Sequence, residues 1–162
     1  ARCGPEWREI PRHSPGKRAT QRRETARSTI VHSVREMSLR DVLAFLDLTD
    51  DLGVVCWIAG GWGADAQQGV QSQWHDDLDV FVPARDAAVL NQHLALRGFT
   101  AQAEAPWHMT FVDRHGRAID VRLFERDGAQ VTYGPDERWP SAVLDGYGVL
   151  GDRTVRVVRL PR

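Results

Sequence analysis

The sequence predicts an α+β fold, a mixed β-sheet with helices packed on it. Two observations predict it. Up to Gly98, apolar residues at helical spacing alternate with short apolar runs of strand length, and from Met109 the period drops to two between turn-forming residues. Ser38-Leu39-Arg40-Asp41 is a capping-box signature, with Leu39, Val42, Leu43 and Leu46 at helical spacing behind it and Gly53 as the stop. A buried strand over 54–59, a Gly60-Gly61 turn and a short helix running toward Gly69 follow. After a polar loop comes a strand from Leu78 to Val82. Pro83 opens a helix through Arg97, with Ala87, Leu90 and Leu94 on one face and Gly98 as its end. Met109 and Phe111 then alternate with Thr110 and Val112, and residues 113–116 form a turn. Ile119, Val121 and Leu123 alternate with Asp120, Arg122 and Phe124. The remainder holds Asp127-Gly128, Tyr133, Trp139-Pro140 and a hairpin around Gly151-Asp152.

The 162 residues suffice for one domain with a tail. Residues 1–36 carry nine Lys/Arg against four Asp/Glu and few large apolar residues, so they read as a disordered basic leader. No apolar h-region follows those charges, which argues against a secretory signal. Met37 directly precedes the first folded segment and is a candidate natural start; residues 37–162 are the expected working domain. That domain carries twelve Arg against eighteen Asp/Glu. Its acidity repels nucleic-acid phosphates and suits a small or cationic acceptor. No apolar run reaches membrane-spanning length. The two cysteines, Cys3 and Cys56, show no zinc or disulfide spacing, which points to the reducing cytoplasm.

Three features carry chemistry. Gly60-Gly61-Trp62-Gly63 lies between a buried strand and a helix, where backbone amides can approach an anion and a helix N-terminus adds free N–H groups. In His75-Asp76-Asp77-Leu78-Asp79-Val80-Phe81, Leu78, Val80 and Val82 take one strand face, so Asp77 and Asp79 share the other. Two carboxylates side by side raise each other's pKa, and a hard divalent cation such as Mg²⁺ relieves the conflict. Asp120 alternates out of an apolar strand face in the same way. It joins the pair if the two strands are neighbours. Each feature has a plain alternative: a tight turn, a solvated strand face, a surface Asp.

Glycine turn, short helix and a DxD at the start of the next strand resemble the nucleotidyltransferase superfamily that includes DNA polymerase β. The run from Trp57 to Ala66, followed by Gly69 and His75-Asp76-Asp77-Leu78-Asp79, resembles its antibiotic-modifying branch, the lincosamide and aminoglycoside 2''-nucleotidyltransferases. Ile119-Asp120-Val121, the Asp-Gly turn, Trp139 and the final strand follow the lincosamide-type layout. The resemblance covers about residues 38–160. It implies a polymerase β-like fold and Mg²⁺-dependent transfer of a nucleoside monophosphate from an NTP to an antibiotic hydroxyl. Asp77 and Asp79 then hold Mg²⁺, while Gly60, Gly61, Trp62 and His75 are the nucleotide-binding candidates. Asp120 either binds a second metal ion or takes the acceptor's proton. Relatives with small domains often pair, so a homodimer is expected.

The chain departs from the family pattern in two places. Gln73 stands where relatives usually have an Arg two residues before the motif His, and relatives continue into a C-terminal helical segment beyond Arg162. A non-catalytic nucleotide-binding or antitoxin-like domain on the same fold is the alternative these departures suggest. His75 is open between orienting Asp77, contacting a phosphate and simply closing the loop, and Asp65 is expected to hold the loop.

Overall fold

The computed structural model describes residues 36–159, so the expectations for the leader at 1–35 and for 160–162 lie outside the described residues. The element order is α1 (Leu39–Asp51), β1 (Trp57–Ile58), α2 (Gly60–Gln68), β2 (Asp77–Pro83), a 3-10 turn (Ala84–Asp86), α3 (Ala87–Leu96), β3 (Thr100–Ala105), β4 (His108–Val112), β5 (Ala118–Asp127), β6 (Gln130–Tyr133), β7 (Glu137–Pro140), a second 3-10 turn (Ser141–Leu144), β8 (Gly146–Leu150) and β9 (Arg153–Val157). One mixed sheet runs β3-β4-β5-β2-β1-β9-β8, with β6 and β7 extending from β5. The β2–β5 and β1–β9 pairs are parallel and the others antiparallel. The expected mixed sheet with packed helices is what forms.

Local chemistry explains the elements. Ser38 caps α1 and Asp41 reciprocates, closing the capping box. Gly69 ends α2 in the left-handed region that an L side chain avoids. The strand expected over 54–59 shrinks to Trp57–Ile58. Its antiparallel register, Trp57 opposite Phe81, would set Val55 against Pro83, which has no N–H to give. The Gly60-Gly61 turn is instead the start of α2, with Ala59 as its extended N-cap. β3 had no signal in the sequence because, apart from Ala105, its residues are exposed on both faces of an edge strand.

The sheet has two differently covered faces. Leu78, Val80 and Val82 of β2 and Ile119, Val121 and Leu123 of β5 form the main core with α1, α2 and α3. On the opposite face, Phe81, Phe124, Val131, Val143, Leu144 and Val158 form a second core, with Trp57, Tyr133 and Trp139 against it. One strand face therefore begins in acids, at Asp77 and Asp79, and continues into aromatic packing at Phe81.

Candidate functional site

Parallel pairing of β2 with β5 sets Asp79 directly opposite Asp120 and Asp77 opposite Ala118. Because side chains alternate along a strand, all three acids emerge on one face. One carboxylate oxygen from each of Asp77, Asp79 and Asp120 lies within 4.8 Å of the others. The spacing read from the sequence thus becomes a real cluster.

The three acids have different partners. Asp79 Oδ1 accepts a hydrogen bond from Arg122 Nη1 at 2.6 Å. Asp120 Oδ1 accepts one from Thr110 Oγ1 at 2.5 Å, across the β4–β5 pair in which those residues face each other. Among the described residues no cation pairs with Asp77. Burial, and then the charges of Asp79, Asp120 and Asp76, push its carboxyl above the usual range. Burial also disfavours the Arg122 charge, but the bond and charge of Asp79 hold its guanidinium above its ordinary value.

The start of α2 abuts this cluster. Gly60 has φ +58°, and a Cβ there would run into the Asp79 carboxylate, its Oδ2 nearest. A Cβ at Gly61 would strike the His75 ring. Glycine is therefore required twice, for space and, at Gly60, for backbone conformation. The first α2 hydrogen bond of the i→i−4 kind is Gly63 N to Ala59 O, so the N–H groups of Gly60, Gly61 and Trp62 precede the helical ladder.

The side chains of Trp62 and His75, two nucleotide-binding candidates, pack behind the start of α2. Trp62 is 1% exposed in the main core, so only its backbone can serve the site. His75 is buried behind the first turn of α2, its Nε2 2.5 Å from Asp65 Oδ2 and its ring against Trp62. Asp65 also accepts from the Ser72 backbone and hydroxyl, so it does hold the loop. Through Asp65 and Trp62, His75 braces the glycine turn, and its ring lies against Gly61.

Thr110 and Arg122 were not singled out in the sequence, and His108 has a partner only in the fold. His108 Nε2 is buried without a hydrogen bond, 3.5 Å from Asp120 Oδ1, and its Nδ1 lies 3.3 Å from Glu104 Oε2. An alternating strand face beside an acid was the available signal. Which residues meet that acid depends on register, which local sequence does not state.

The family described as aminoglycoside-2''-adenylyltransferase matches residues 41–161. A lincosamide resistance protein of Staphylococcus haemolyticus is 31% identical over 68 residues, which span 42% of this chain and 41% of that protein. The lincosamide antibiotic adenylyltransferase LnuA, solved with lincomycin bound, superposes with a TM-score of 0.69 at 20% identity, over 76% of this chain and 82% of that one. ANT(2'')-Ia, solved with adenylyl-2''-tobramycin, superposes with a TM-score of 0.64 at 22% identity, over 75% and 68%. Those superpositions establish the shared fold.

Proposed function

The chain belongs to the aminoglycoside-2''-adenylyltransferase family, and from that premise we propose that it moves a nucleoside monophosphate from an NTP to a hydroxyl of a small acceptor, a lincosamide or aminoglycoside antibiotic. The observation that carries this reading is the convergence of Asp77, Asp79 and Asp120 beside the first turn of α2. Similarity to a lincosamide resistance protein and to structures solved with lincomycin and with adenylyl-2''-tobramycin supports the acceptor class.

The donor set fits Mg²⁺. Three hard carboxylate oxygens converge, and the repulsion that adds to burial in raising Asp77 is a conflict a divalent cation relieves. Asp77, Asp79 and Asp120 would hold it, and when bound it would neutralise charge on the triphosphate. The chain's own residues do the rest. Backbone N–H groups of Gly60, Gly61 and Trp62 donate to phosphate oxygens, aided by the α2 dipole. Asp120, its Oδ1 held by Thr110, takes the proton of the acceptor hydroxyl. That oxygen bonds to the α-phosphorus as the bond to the bridging oxygen breaks and pyrophosphate leaves.

Incubation with Mg²⁺, each NTP in turn, and a panel of lincosamides and aminoglycosides tests the proposal. The expected product is an antibiotic heavier by one nucleotide, with one pyrophosphate released. Magnesium-dependent NTP binding with no adduct across the panel would favour the non-catalytic alternative.

A further inference from the structure

We propose that Arg122 is a positioning residue: anchored on the Phe81 ring, it ties down one oxygen of Asp79 and turns the other toward the first turn of α2. This rests on the reading of Asp79 as part of the transfer site. Arg122 Nη1 reaches Asp79 Oδ1 at 2.6 Å, while Oδ2 is the Asp79 atom closest to the space a side chain at Gly60 would fill. The two oxygens therefore have separate surroundings, one cationic and one facing the helix start.

The anchor is aromatic. Phe81 lies opposite Arg122 in the β2–β5 register, and the guanidinium carbon sits 5.8 Å from the Phe81 ring centre. Phe81 is 4% exposed and is held edge-on by Tyr133 at 5.5 Å, with Trp139 at 5.8 Å. Tyr133 and Trp139 stack on each other at 6.0 Å. A buried aromatic group thus fixes the base of a cation whose head reaches into the acid cluster. Arg122 is the one Arg among the described residues that forms an ion pair with any of the three acids.

The physical need is clear from the charges. Three carboxylates within 4.8 Å repel, and an untethered Asp79 would rotate toward solvent. A planar guanidinium held over a ring and bonded to one oxygen restricts the carboxylate in a way a flexible ammonium does not. Misplacing a reacting group by about 1 Å costs on the order of 100-fold in rate.

The test has two arms on the full chain. In the first, the Arg122 guanidinium nitrogens are followed by ¹⁵N NMR without metal or nucleotide. Separate, slowly exchanging Nη signals are expected in the parent, collapsing to one average in Asp79→Asn and Phe81→Leu; an averaged signal in the parent overturns the proposal. In the second, Arg122→Met and Arg122→Lys are assayed at saturating Mg²⁺ and NTP. Arg122→Met should lower kcat about 100-fold with KM changed less than about threefold, and Arg122→Lys should remain about tenfold low. Full rescue by Lys would show that charge alone suffices and overturn the positioning role. If the parent forms no adduct at all, the transfer reading fails, while the NMR arm still decides whether the tether exists.

Discussion

Asp77 and Asp79 stand two residues apart on one strand face, yet the surroundings of each predict opposite effects of substitution. Ionised Asp77 is disfavoured in the fold, because its folded pKa lies above the ordinary value and the penalty applies at every pH above that pKa. Asp77→Asn removes the penalty, so the variant should melt no lower than the parent in calorimetry while losing nucleotidyl transfer. Asp79 is the partner of Arg122, so Asp79→Asn trades an ion pair for a neutral bond and should cost about 1–2 kcal/mol in chemical denaturation. The like-charge argument made from sequence treated the two acids as equivalent, whereas in the fold Asp79 has a cationic partner and Asp77 has none among the described residues. Asp65 presents a third situation. It is 1% exposed and engaged by His75 and Ser72, so Asp65→Ala should cost about 3 kcal/mol by leaving the buried His75 Nε2 without its partner and releasing the exposed Ser72 from its bonds.

Among the elements, α2 shows how closely backbone and site are matched. Gly60→Ala meets both a left-handed φ and the Asp79 carboxylate, and Gly61→Ala meets the His75 ring. Gly60→Ala should cost about 1–3 kcal/mol and should lower kcat more than tenfold, measured by melting and by steady-state turnover. Gly148 plays a quieter part, since a Cβ there would meet the Ala66 backbone where β8 packs on α2. The strand β4 contributes by register, placing Thr110 opposite Asp120. Thr110→Val keeps the shape and removes the hydroxyl donor, so kcat should fall about tenfold with the melting temperature little changed. The Gly-Gly start of α2 was legible in the sequence because glycine pairs after a strand are locally informative. Thr110 and Arg122 were not, because a polar residue on an alternating strand becomes functional only through the strand beside it.

At the scale of the whole molecule, the fold is secured away from the acid cluster. Asp41 of α1 and Asp113 of the β4–β5 turn both bond Arg117, joining helix to sheet. Although burial alone would raise them, the Ser38 bonds and then Arg117 hold Asp41 below the usual carboxylate range, Arg117 holds Asp113 there, and His75 and Ser72 do the same for Asp65. A lowered acid pKa stabilises the fold above the unfolded value near 4 and loses that contribution as pH falls through the folded value. Stability should therefore be level from neutral pH to about pH 5 and fall steeply below about pH 4, as read by denaturation across pH. The two apolar cores exclude the three acids. Chelation of Mg²⁺ should abolish transfer while leaving the melting temperature of the nucleotide-free protein unchanged or lower by only a small amount.

The sequence by itself determined most of the elements, though not β3 or the shortness of β1, and it singled out the three acids. Periodicity dictates which strand residues face the core, and thus that Asp77, Asp79 and Asp120 face away from it. Tertiary structure alone decided the neighbours. Parallel pairing of β2 with β5, segments some forty residues apart, put Asp120 opposite Asp79 and Arg122 on Phe81, while the packing of α2 on the loop before β2 put His75 behind Gly61. The physical reason is that burial pattern is a local property of a chain, whereas register and the order of strands are set by how all the apolar faces are covered together.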